Sequence, residues 1–94
     1  MKVSEIEVGG VYGDGEGNYR CPQAATGSLL RYTSAEVDQG FLDAAGEVDW
    51  VALKAAGYRT TGEGFCLCTT MAAWATARDK HPPQALLDAL KDRP

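Results

Sequence analysis

Basic residues, histidine and long apolar runs are all scarce in this 94-residue chain, and each scarcity removes a class of function. Nine Lys and Arg stand against thirteen Asp and Glu, a net charge of −4, so general affinity for a phosphate backbone is not expected and a basic partner fits better. Three cysteines are an odd number, which rules out a complete disulfide framework. The opening Met1-Lys2-Val3-Ser4-Glu5 has no apolar signal core behind its positive charge, so the expected setting is the reducing cytoplasm. The longest uncharged stretch, Gly64 to Ala77, is too short and too rich in Thr and Gly to cross a bilayer. The single histidine, His81, sits between Lys80 and Pro82-Pro83 without an evident carboxylate to orient it as a general base. Gly27-Ser28 continues as Leu29-Leu30 and does not form a nucleophile turn. No catalytic residues and no cofactor are expected.

The length fits one domain over residues 1–94 with a thin core, because many of the apolar residues are alanine. Scaffolds of this size lean on a partner or on self-association.

Alternating Val3-Ser4-Glu5-Ile6-Glu7-Val8 predicts an opening strand, broken by Gly9-Gly10. Val11-Tyr12 and Tyr19-Arg20-Cys21 flank Gly13-Asp14-Gly15-Glu16-Gly17-Asn18, whose glycines, Asp and Asn have the chemistry of a hairpin turn. Ser28 to Thr33 reads as a further strand. Asp49 caps a predicted short helix carrying Trp50 and Leu53 and ended by Gly57, with a strand over Val48–Leu53 as the alternative. Phe65-Cys66-Leu67-Cys68 has two apolar faces, which predicts a central strand covered on both sides. Thr69 or Thr70 then caps a helix placing Met71, Trp74, Ala75 and Arg78 on one face, so Phe65, Leu67, Met71 and Trp74 are the expected core. His81-Pro82-Pro83 stops that helix, and a last one from Pro83 to about Lys91 presents Leu86, Leu87 and Leu90, a stripe that closes the core or docks on a second copy as a homodimer.

The glycine run lacks the Gly-Lys-Ser/Thr of a phosphate loop. Asp14-x-Glu16-x-Asn18 begins like a calcium loop, yet Tyr19 replaces the required glycine and Ala25 the bidentate acid. Cys21, Cys66, Cys68 and His81 are nominally enough for zinc, but Cys-x-Cys lacks the knuckle turn of C-x-x-C, so no metal is expected. Charge is the clearest signal. Between Arg31 and Lys54 lie Glu36, Asp38, Asp43, Glu47 and Asp49 with no Lys or Arg among them, the expected partner-binding face.

Ile6-x-Val8-Gly9-x-Val11-Tyr12 with Gly17-Asn18-x-Arg20, and Cys66 followed by Met71-Ala72-x-Trp74-Ala75, resemble small phage and prophage proteins of unknown function. The resemblance implies an α+β fold, a small antiparallel SH3-like β-sheet or barrel with short C-terminal helices. Cys68 and Met71 stand where that group has Leu and Phe, and Glu36 to Ala56 exceeds its usual connection. A small acidic phage-type protein without catalytic residues is similar in kind to anti-CRISPR inhibitors. The expected function is therefore non-enzymatic: inhibition of a host defence complex by binding a basic host protein or nucleic-acid-binding complex. The alternative is a small barrel that binds nucleic acid or peptide through Tyr12, Tyr19 and Tyr32.

Overall fold

The glycine-rich turn sets the hairpin around which the rest of the sheet is laid. The structure, a computed structural model, describes residues 1–36, 59–82 and 84–91. Strands β1 (Val11–Gly13), β2 (Asn18–Thr26), β3 (Leu29–Glu36), β4 (Arg59–Leu67) and β5 (Ala77–Asp79) form one antiparallel sheet in the order β4-β3-β2-β1-β5. Helix α1 (Cys68–Trp74) lies between β4 and β5, and helix α2 (Gln84–Ala89) follows β5. β4 and β5 end the order and do not pair with each other, so the described strands do not close into a barrel. No described helix is long and apolar enough to cross a membrane. The predicted helix from Asp49 to Gly57, with Trp50 and Leu53, lies outside the described residues.

Tyr12 pairs with Arg20 and Gly13 with Tyr19, as the hairpin reading requires. Asp14 stitches the turn: Oδ1 accepts the Glu16 and Asn18 backbone N–H groups, and Oδ2 accepts Asn18 Nδ2 at 2.8 Å. Partial burial pushes the Asp14 carboxyl upward, but these donors outweigh it and hold it below its ordinary value. The turn therefore carries a stabilisation that is fully present above the unfolded-state pKa and fades as pH falls through the lower folded one. We expect the Asp14 carboxyl carbon to titrate below the ordinary aspartate range by NMR, with the Glu16 and Asn18 amides losing exchange protection in that same acidic window.

Register divides the sheet into two faces, since directly paired residues share a side. Val11, Cys21 and Ala35 face α2 and cluster with Leu86 and Leu90, with Tyr19 packed against them. β2 bulges after Pro22, which has no N–H to give the ladder, and Gln23 is the extra residue. Its Nε2 donates to Thr33 Oγ1 and to the Leu90 carbonyl, each at 3.0 Å, while the buried Thr33 hydroxyl donates to that carbonyl as well. The orphan end of α2 is thereby tied to β2 and β3. Leu86 and Leu90 are buried as the stripe predicts, whereas Leu87 is exposed.

Three expectations are corrected. Residues 3–8 form no strand: Val3–Glu5 is a 3-10 turn with Val3 and Val8 exposed. The fully buried Tyr12 overrides the alternation, its hydroxyl accepting the Glu7 N–H at 2.7 Å and donating to the Glu5 carbonyl at 2.8 Å, so this backbone is bonded by a side chain and not by a neighbouring strand. The Phe65–Leu67 strand is not central. β4 ends the sheet order, and Phe65 and Leu67 remain 65% and 50% exposed, so of the four expected core residues only Met71 is fully buried, with Trp74 half-buried. The helix after Thr70 does not reach Arg78. It starts at Cys68 without a side-chain cap, its first N–H donating to the Ser28 carbonyl, and ends at Trp74. Thr76 then binds the Gly13 carbonyl through both its N–H and its hydroxyl, which sets Ala77–Asp79 against the free edge of β1.

Candidate functional site

On the face opposite α2, Arg20 of β2, Tyr32 of β3 and Trp74 of α1 meet. Arg20 and Tyr32 share that face because Arg20 pairs with Ser34 and Pro22 with Tyr32. The guanidinium carbon lies over the Tyr32 ring at 4.6 Å from its centroid and over the Trp74 ring at 4.3 Å. A weakly hydrated planar cation is well suited to both ring faces. The three residues line a concavity of about 370 Å³ together with Asn18, Ser34 and Glu63. Glu63 does not neutralise Arg20, since it pairs with Arg31 at 3.6 Å. Among the described residues no carboxylate lies within ion-pair distance of Arg20, and no side-chain hydrogen bond holds its guanidinium. Among the described residues, the concavity thus holds a positioned cation without a counter-ion.

Gly64 makes room for this arrangement. A Cβ there would stand 2.5 Å from the Tyr32 hydroxyl and 2.7 Å from its ring carbon, closer than side chains tolerate. A tyrosine ring moves only as a unit, so Gly64→Ala should swing Tyr32 off Arg20. We expect the aromatic resonances of Tyr32 and the Arg20 Hε to shift together in that variant while those of Leu86 and Leu90 stay in place.

The sequence-based candidates separate. Glu36 ends β3, half-buried and paired in register with Asn18, whereas Asp38, Asp43, Glu47 and Asp49 lie outside the described residues. The three tyrosines do not share one surface. Tyr12 is buried, Tyr19 packs on the α2 side with its phenol pushed up by burial and then by the charges of Asp79 and Asp14, and only Tyr32 lines the concavity. Cys66 lies beside this site in register with Leu30; burial raises its thiol pKa, Arg20 lowers it and Cys68 raises it, with a net upward shift. Such a thiol is a poor nucleophile at neutral pH. Among the described residues no group of three or more His, Cys, Asp or Glu is arranged to hold a metal.

A second concavity of about 360 Å³ is lined by Gly10, Arg78, Lys80 and Leu87 among others. There Arg78 is engaged by Glu7 at 3.2 Å and lies 5.8 Å from the Tyr12 ring centroid, so its charge is already answered.

Sequence reasoning placed Trp74 in the core and gave Arg20 no role. Both stand within the stretches that carry the phage-protein resemblance, yet 54 positions separate them and no local pattern joins them. Fold and concavity define a small antiparallel β-sheet protein with short helices that presents a cation seated on aromatic rings. No protein-family model, no curated protein and no solved structure matches the chain significantly.

Proposed function

We propose that the protein is a non-enzymatic interaction module that takes an extended peptide segment of its partner at the Arg20–Tyr32–Trp74 concavity. The observation behind this reading is the stacked guanidinium itself: two rings order its side chain, so less conformational freedom is lost when a ligand arrives. The sheet supports an SH3-like reading, because β5 returns beside β1 and the bulged β2 is shared between the β1 side and the β3–β4 side. Selection of peptides on the purified chain from a displayed random library tests the proposal. Selected peptides should lose at least tenfold in affinity on Tyr32→Ala, with the melting temperature of that variant measured alongside. Unchanged affinity in a folded Tyr32→Ala variant overturns it.

A second reading follows from the carboxylate run. Glu36, Asp38, Asp43, Glu47 and Asp49 together steer a basic host protein, as an inhibitor of a phage-targeted defence complex would. A single surface ion pair contributes only about 0–1 kcal/mol, so this reading needs the charges to act collectively. Reversing three or more of these charges should slow association and flatten its salt dependence while Tyr32→Ala has no effect. The opposite pattern rejects this second reading.

A further inference from the structure

We infer that the group received by Arg20 is a carboxylate, so that the ligand of this concavity is an acidic side chain of a peptide; the inference rests on the peptide-binding reading above. Contact with Tyr32 and Trp74 occupies the guanidinium through its ring-facing surface, and the N–H donors along its edge meet no acceptor among the described residues. A planar fork of donors matches the two oxygens of a carboxylate and forms paired charge-assisted bonds with it. The nearby acid does not compete, because Glu63 is taken by Arg31. The flanking rings also displace water from the cation, which strengthens its attraction for an anion.

Nucleic acid fits less well. Binding along a phosphate backbone needs several available cations, but Arg31 and Arg78 are paired with Glu63 and Glu7, and the whole chain carries −4. A phosphate dianion would likewise meet one guanidinium where a single-charged carboxylate is matched by it. The volume of about 370 Å³ suits one side chain with its neighbouring backbone.

The test is an NMR titration of the full chain, following the Arg20 Nε–Hε and the Tyr32 and Trp74 ring signals. The probes are the blocked peptides acetyl-Gly-Glu-Gly-amide and acetyl-Gly-Gln-Gly-amide, the corresponding phosphoserine peptide, and a ten-residue oligothymidylate. The glutamate peptide should shift all three side chains saturably and bind at least tenfold tighter than the glutamine peptide. Arg20→Lys, which keeps the charge and removes the fork, should remove most of that preference. Equal binding of the glutamate and glutamine peptides overturns the carboxylate inference and leaves the peptide site standing. Tighter binding of the phosphoserine peptide or the oligothymidylate overturns it in favour of a phosphate. If no probe moves these signals and library-selected peptides also ignore Tyr32→Ala, the reading of the concavity as a peptide site falls with it.

Discussion

Tyr12→Ala should cost about 3–5 kcal/mol, a large part of the stability available to a small domain. Tyr12 is fully buried, and its hydroxyl is the joint between the sheet and the 3-10 turn Val3–Glu5. Gly10 lies so close to its ring that a Cβ there would meet the hydroxyl at 2.8 Å, so the pocket around the phenol has no slack. Truncation leaves a cavity and strands two backbone groups at once. Tyr12→Phe separates the terms: the ring remains, the Glu7 N–H and Glu5 carbonyl lose their partner, and the expected loss is about 1–3 kcal/mol. Denaturant unfolding of both variants measures the two losses. A Tyr12→Phe variant as stable as the wild type would mean that water replaces the hydroxyl at no cost.

The second large effect belongs to Leu86. It is fully buried and clusters with Val11, Cys21, Ala35 and Leu90 between α2 and the sheet. Leu86→Ala should destabilise by about 2–5 kcal/mol, and α2 has only six residues, too few to persist without packing. The exposed Leu87 serves as the internal control, and Leu87→Ala should change the unfolding midpoint little. Hydrogen exchange should show the Leu90 amide, which bonds to the Leu86 carbonyl, losing protection in Leu86→Ala alone. Equal effects of the two substitutions would mean that α2 does not dock through this face.

Arg20 shows how far the proposed site was readable in advance. On its strand it is one polar residue between Tyr19 and Cys21, and although the Gly17-Asn18-x-Arg20 motif contains it, nothing within a few residues gives it a binding role. It becomes a site by meeting Tyr32 across the β2–β3 pairing and Trp74 from α1, two relations fixed by register and helix placement. The acidic run had the opposite character: it was plain in the sequence, but Glu36 alone among its residues lies in the described structure, at the half-buried end of β3.

Where a segment's conformation follows from its own residues, the sequence by itself determined it. The Gly13–Asn18 turn is such a case, because glycine supplies the positive φ of Gly15 and Gly17 and Asp14 bonds the amides ahead of it. So is α2, whose leucines recur at helical spacing. Only the tertiary structure decided Ala77–Asp79, where a helix-compatible stretch became a strand because β1 had an unpaired edge and Thr76 bound its end. It also made residues 3–8 a turn around Tyr12 and put Phe65 and Leu67 on an edge strand. Local preferences among these conformations differ by about 1 kcal/mol or less per residue, so a backbone hydrogen bond or a buried ring from elsewhere in the chain is enough to choose between them.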